Sequence, residues 1–129
     1  MRSKKHEHSL YERMGGAKTL RQLVTSFYAK VAKDPLLTPI FPEDLTEVAE
    51  KQYKFLSQFF GGPDLYSREY GHPMLRARHM PHEITPTRAR AWLANMRQSL
   101  DELDIPREVK EEMFMRLAFT AQHMINTPE

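Results

Sequence analysis

The sequence predicts an all-α fold, and three observations lead to that prediction. Apolar residues recur at three- and four-residue spacing through most of the chain, as they do on one face of an amphipathic helix. Capping residues, glycines and prolines divide these stretches into segments of helical length. No segment shows the sustained alternation of apolar and polar residues that marks a half-buried strand. We therefore expect about five substantial helices with short connections.

The first part of the chain carries signals for two helices. Ser9 and Glu12 have the spacing of a capping box, which predicts a short helix that ends at Gly15-Gly16. A second helix should follow and end before Asp34-Pro35. Its apolar stripe consists of Leu20, Leu23, Val24, Phe27, Tyr28 and Val31. The proline-rich stretch "PLLTPIFPED" then predicts an irregular but apolar connection.

A third helix is predicted to be capped by Asp44 or Thr46 and to end at Gly61-Gly62-Pro63. One of its faces carries Val48, Gln52, Phe55 and Phe59. The stretch "GGPDLYSREYGHP" after it is predicted to be an irregular loop of roughly ten residues, and loops this long in a small domain are often functional.

The next stretch, "HPMLRARHMPHE", spans residues 72–83 and should form one or two helical turns between Pro73 and Pro81. Thr85-Pro86 is an N-cap followed by a proline at the first helical position, so it starts another helix. Asp104 and Pro106 repeat this signal for the last helix. The apolar positions of these two helices are Ala89, Trp92, Leu93, Met96, Leu100 and Leu103, and Val109, Met113, Leu117, Ala121 and Met124.

The bulk composition bounds the class of protein. We expect a flexible tail over residues 1–8 and a single domain over residues 9–129. The formal net charge is +2, so the sequence predicts no strongly basic surface for nucleic acid. The absence of cysteine excludes disulfides and thiolate catalysis. Without a membrane-spanning apolar run or a signal peptide, the expected location is the cytoplasm.

Three polar side chains interrupt the apolar helical faces: Tyr28, Gln52 and Trp92. A buried donor without a partner costs on the order of 1–3 kcal/mol. Each could find a backbone carbonyl or lie at the edge of the core, which is common for Tyr and Trp. Alternatively, all three could converge as donors around one bound polar ligand. The pattern alone leaves both interpretations open.

The histidines admit a similar choice. A lone histidine such as His79 is more often a surface or core residue than a ligand. Together, His72, His79 and His82 suggest zinc, but their spacing crosses two prolines and lacks a carboxylate at a matching helical offset. Arg76 and Arg78, like Arg88 and Arg90, would usually form a solvated face. If His79 did ligate a metal, an arginine beside it could pair with an anionic cofactor edge, because guanidinium groups match carboxylates.

Five stretches carry a family resemblance: "GGAKTLRQLV", "IFPEDL", "FLSQFFGGP", "GHPMLRARHMP" and "AWLANM". From about Leu10 to the C-terminus the chain resembles the group II truncated haemoglobins. The resemblance implies a shortened globin fold, a two-over-two helical sandwich around haem b. It also implies that the helix bearing the iron ligand is reduced to a turn or so within a long loop.

The resemblance also implies roles for individual residues. His79 becomes the proximal ligand to haem iron. The residues implied for the distal side are Tyr28, Val48, Gln52 and Trp92, and those implied to contact the haem are Phe41, Lys51, Phe55, Arg78 and Trp92. Lys51 and Arg78 are expected to meet the propionates. Two departures stand out: Val48 replaces the distal histidine of other globins, and Phe41 replaces a tyrosine found in some members.

Three functions follow as alternatives. The first is reversible binding of O2 and other diatomic ligands such as CO, for oxygen transport or storage. The second is a haem enzyme that removes nitric oxide or peroxide with an external reductase. The third is a haem-free helical interaction or sensor domain. The expected assembly is a monomer or a homodimer.

Overall fold

The protein is described by a computed structural model over residues 8–129, apart from the side chain of Arg76. The predicted tail over residues 1–8 therefore lies, except for His8, outside the described residues. Residues 8–129 form α-helices and a 3-10 turn and contain no strand, so the all-α prediction is confirmed. The helices are α1 (Leu10–Met14), α2 (Gly16–Val31), α3 (Thr46–Phe59), α4 (Leu65–Tyr70), α5 (Leu75–His79), α6 (Pro86–Asp101) and α7 (Arg107–Met124), with the 3-10 turn at Thr38–Ile40.

Several predicted helix ends are confirmed by the cap geometry. The Ser9 hydroxyl accepts a hydrogen bond from the Glu12 amide at 3.1 Å, and both halves of the capping box are present. Gly15 ends α1 with a φ of 113°, in the left-handed region that glycine adopts without a Cβ clash. The Thr85 hydroxyl accepts from the Arg88 amide at 3.1 Å at the start of α6.

The prediction of an irregular loop after α3 is wrong, because α4 occupies the middle of this stretch. The Ser67 amide donates to the side-chain oxygen of Gln58 on α3 at 2.9 Å. Tyr66 is buried and meets Phe55 edge to face, with 6.0 Å between the ring centroids. Contacts with α3 thus stabilise a helix that six residues could not form alone.

Three other predicted features are corrected. Helix α7 begins after Pro106, which is itself the N-cap, and no side chain caps it; Asp104 lies outside the helix. Leu45 is the N-cap of α3, although Asp44 still accepts from the Thr46 amide at 3.0 Å. In residues 8–129, four helices rather than about five are long, with 14 to 18 residues each.

The long helices form two packed pairs, α2 with α3 and α6 with α7, and α2 also packs on α6. The core between them contains fully buried side chains such as Phe27, Leu100 and Met113. The short helix α5 packs on α7. None of the helices within residues 8–129 has the length and apolar character that crossing a membrane requires.

The glycines after α3 allow α1 to approach closely. The Tyr11 amide donates to the Phe60 carbonyl at 2.8 Å, which holds α1 against the end of α3. A Cβ at Gly62 would lie only 2.6 Å from the Tyr11 ring. Glycine is therefore needed at this position for the packing of α1 against the end of α3.

Candidate functional site

A cavity of about 480 Å³ lies among α2, α3, α5, α6 and α7. Cavities of this size are typical of small-molecule and cofactor sites. All nine residues to which the resemblance assigns a role line it: Tyr28, Phe41, Val48, Lys51, Gln52, Phe55, Arg78, His79 and Trp92. The fold thus brings together residues that are up to 64 positions apart in the chain (92 − 28).

His79 is the last residue of α5, and its imidazole ring is partly buried. Its Nδ1 lies 2.7 Å from the carbonyl oxygen of Leu75, a distance that calls for an N–H donor on Nδ1. In a neutral ring, Nε2 then carries the lone pair. A backbone carbonyl on the other ring nitrogen is the usual support of a metal-ligating histidine.

Tyr28, Gln52 and Trp92 reach the cavity from three different helices, α2, α3 and α6. Within residues 8–129, the phenol hydroxyl, the side-chain amide and the indole N–H make no hydrogen bond to protein. All three side chains line one cavity, and none of these groups bonds to another of the three or to a backbone carbonyl. They leave several donors available to a polar ligand in the cavity.

Edge-to-face aromatic contacts orient two of these donors. The Phe27 ring lies 5.0 Å from Trp92 and 4.9 Å from Tyr28, centroid to centroid. Phe41 meets Tyr28 at 6.1 Å with an interplanar angle of 79°. Such pairs add about 0.5–1.5 kcal/mol beyond burial of apolar area. Phe27 is fully buried, so the core fixes the positions of the indole and the phenol.

Two cationic side chains lie at the edge of the cavity. Lys51 is half-exposed and pairs with Glu47 at 3.6 Å. The Arg78 Nε donates to the carbonyl oxygen of Pro73 at 2.8 Å, which ties the guanidinium to the turn before α5. Both residues line the cavity, so an anionic group at its mouth would lie near two positive charges.

The sequence profile of bacterial-like globins matches residues 9–126. The chain belongs to the group II truncated haemoglobins. It is 54% identical over 114 residues to group 2 truncated haemoglobin YjbI of Bacillus subtilis, covering 88% of this chain and 86% of the relative. The crystal structure of the group II truncated haemoglobin of Bacillus anthracis superposes with a TM-score of 0.92 at 54% identity, covering 95% and 94% of the two chains. The structure of a truncated oxygen-avid haemoglobin from Bacillus subtilis gives a TM-score of 0.88 at 53% identity, covering 92% and 100%.

Globins of this family bind haem, an iron porphyrin. The donor set of the cavity in this globin fits that group. Aromatic and aliphatic walls suit a porphyrin, the His79 imidazole suits iron, and the cations suit propionates. The three hydrogen-bond donors without protein partners suit a polar ligand. A haem-free helical interaction or sensor domain is not supported, because the chain is a globin and its cavity carries groups that fit haem.

The other two histidines of this region differ in position. His82 lines the cavity, whereas His72 does not; the Nδ1 of His72 accepts from the Met74 amide at 3.2 Å. Among residues 8–129, no three His, Asp or Glu side chains are grouped closely enough to hold a metal ion. His79 is therefore the one histidine of α5, and it does not belong to a cluster of three metal-binding side chains within residues 8–129.

Part of the cavity wall was missed by the sequence reasoning about the site. Helix α7 contributes four side chains: Leu117, Thr120, Ala121 and Met124. Tyr66 of α4 and Arg88 of α6 also line the cavity. The three- and four-residue spacing of Leu117, Ala121 and Met124 marks them as one apolar face. The same spacing is expected for a face that packs on another helix and for a face that contacts a cofactor, so it does not distinguish the two.

Burial raises the pKa of the Tyr28 hydroxyl well above its usual range. The folded globin then keeps the Tyr28 proton at alkaline pH, where the unfolded chain releases it. The free energy of unfolding should therefore fall above about pH 10, by up to about 1.4 kcal/mol per pH unit from this residue. Urea unfolding of wild type and Tyr28→Phe at about pH 9 and about pH 11 measures the effect. Wild type should lose more stability than the variant; equal losses would contradict the prediction.

Proposed function

We propose that the chain binds haem b through His79 and binds O2 reversibly, held by hydrogen bonds from Tyr28, Gln52 and Trp92. One observation carries the proposal: within residues 8–129, all three side chains line the cavity of His79 and none makes a hydrogen bond to protein. Leaving three donors without partners is costly unless a ligand or water accepts from them.

Haem supplies a ferrous iron to which diatomic gases bind. The Leu75 carbonyl holds the His79 ring through Nδ1, which would leave Nε2 to bind the haem iron. The Trp92 indole is an obligate donor, and the Tyr28 phenol remains a donor because burial raises its pKa. These dipoles are held in place before the ligand arrives, so they favour a ligand that carries partial negative charge, as O2 does.

The similarity to the oxygen-avid haemoglobin of Bacillus subtilis also supports oxygen binding, whereas a role in transport or storage stays a prediction. The test is the visible spectrum of the purified, reduced protein with and without O2. We expect a Soret band that shifts when O2 is added and returns when O2 is removed. Absence of a Soret band after reconstitution with haem would refute haem binding, and rapid irreversible oxidation by O2 would refute reversible binding.

The enzymatic alternative remains a prediction. Turnover of nitric oxide or peroxide would require an external reductase, and this function rests on the family resemblance alone. Stopped-flow measurement with nitric oxide and O2 would detect it. The cytoplasmic location and the choice between a monomer and a homodimer also remain predictions.

We further propose that Lys51 and Arg78 meet the haem propionates. Lys51→Ala should speed haem loss to an acceptor globin only slightly, by at most about fivefold, because exposed ion pairs contribute roughly 0–1 kcal/mol. Lys54→Ala is the matched control, since Lys54 lies on the same helix and pairs with Glu69 outside the cavity. Complete loss of haem from Lys51→Ala, or equal effects of both variants, would contradict the proposed contact.

A further inference from the structure

Helix α5, which carries His79, has little stability of its own. It has only five residues, and no side chain caps its N-terminus. The N-cap residue Met74 has a φ of 47°, in the left-handed region that is unfavourable for side chains with a Cβ. An isolated helix of this length does not form in water. The position of His79 must therefore depend on contacts from other parts of the chain.

The side chain of Asn126, just beyond α7, makes four hydrogen bonds, and those to His79 and His82 are contacts of this kind. Its Nδ2 donates to the carbonyl oxygens of His79 at 3.1 Å and of His82 at 2.9 Å. Its Oδ1 accepts from the Ile84 amide at 2.9 Å and from the Thr127 hydroxyl at 2.7 Å. The amide thus uses both donors and both acceptor sites, which fixes its orientation.

Backbone hydrogen bonds also join the segment after α7 to the turn that follows α5. The amides of Asn126 and Thr127 both donate to the Ile84 carbonyl, at 3.0 and 3.2 Å. The His79 carbonyl is one of the last of α5, so it lacks a partner within its helix; it also accepts from the His82 amide at 2.9 Å. The segment after α7 therefore holds the end of α5 and the turn that follows it.

We infer that Asn126 is a positioning residue for the proximal histidine. The inference rests on the proposed function of His79 as the iron ligand. Asn126 binds the backbone on both sides of the turn after His79, and the Leu75 carbonyl binds the ring. Together these contacts restrain the position and rotation of the imidazole. Hydrogen bonds around a metal ligand set its orientation and basicity without any contact with the metal.

Asn126→Asp is the sharpest test because it removes both donors, with little change in the shape of the side chain, and puts a negative charge in their place. The variant keeps an oxygen for the Ile84 amide but places a carboxylate oxygen opposite two carbonyl oxygens. We expect the iron–histidine stretching band of the reduced, ligand-free protein to move to lower frequency and broaden in resonance Raman spectra. Haem loss to an acceptor should be about tenfold faster. Hydrogen exchange across residues 79–84 should also be faster.

Glu129→Ala is the matched control. Glu129 ties the same C-terminal segment to the amide and hydroxyl of Thr87 on α6, both at 2.5 Å, and does not contact the α5 end. This variant should leave the iron–histidine band at the wild-type frequency. Asn126→Ala removes the donors without adding a charge, and it should shift the band in the same direction as Asn126→Asp. It therefore tests the inference if the aspartate variant does not fold.

Two results would overturn the inference: a wild-type band in the folded Asn126 variants, or an equal shift in Glu129→Ala. Failure of the proposed function has a different signature. If His79→Ala retained haem with an unchanged spectrum, His79 would not be the ligand. If His79→Ala lost haem while the Asn126 variants behaved as wild type, only the positioning role of Asn126 would be wrong.

Discussion

His79→Ala should lose haem at least about 100-fold faster than the wild-type protein. Loss of an outer contact to a metal ligand typically costs 10- to 100-fold in affinity, and loss of the ligand itself should cost more. Apart from His82, the remaining walls of the cavity are largely apolar or aromatic and offer no imidazole to replace the iron bond. Transfer of haem to an excess of acceptor globin, followed at the Soret band, measures this rate.

His82→Ala and His72→Ala are the controls for this variant. His82 lines the same cavity, so it tests whether any imidazole there suffices. His72 lies outside the cavity and reports on general effects of losing a histidine from this region. Both should retain haem nearly as well as wild type. Equal retention in all three variants would refute the assignment of His79.

Trp92→Phe should release O2 roughly 10- to 100-fold faster than wild type. The variant keeps an aromatic ring beside Phe27 but removes the indole N–H, which has no acceptor within residues 8–129. A hydrogen bond to a partly charged acceptor is worth about 1.5–3 kcal/mol, which corresponds to this range of rates. Stopped-flow O2 dissociation, by displacement with CO, measures the effect.

CO dissociation from the same variant is the internal control, because bound CO is much less polar than O2 and should leave only slightly faster. Tyr28→Phe should have a smaller effect on O2 than Trp92→Phe, since the Gln52 amide can substitute for the lost hydroxyl and coupled donors are not additive. Val48 has no group to donate. Equal proportional changes for O2 and CO would mean that the donors act by packing alone.

Local signals in the sequence predicted most of the helices. The capping box at Ser9 and the N-cap at Thr85 are confirmed. Both could be predicted because a cap joins groups within three residues of each other. The stripe of α2 is buried along its whole length, as its spacing predicts. The stretch that contains α4 has no comparable stripe, and its helix depends on Gln58 and Phe55 of another element. Propensity and spacing therefore could not predict it.

Only part of the candidate site could be predicted from the sequence. The polar residues Tyr28, Gln52 and Trp92 were unusual on apolar helical faces. The sequence left open whether they bond to backbone carbonyls or donate to a bound ligand. Packing of α2 against α3 and α6 brings them to one cavity without protein partners. The roles assigned to His79 and its neighbours came from the family resemblance, since one histidine between prolines carries no chemical signature of iron.

Patterns along the chain predicted the all-α class, the limits of most long helices and membership of a recognisable family. These properties depend on side-chain patterns within a few turns of helix or on motifs that can be read along the chain. The tertiary structure alone decided which donors share a cavity with His79, and that Asn126, 47 residues away, holds the end of its helix. Hydrogen bonds between such distant residues form only after the helices have packed, so no local pattern predicts them.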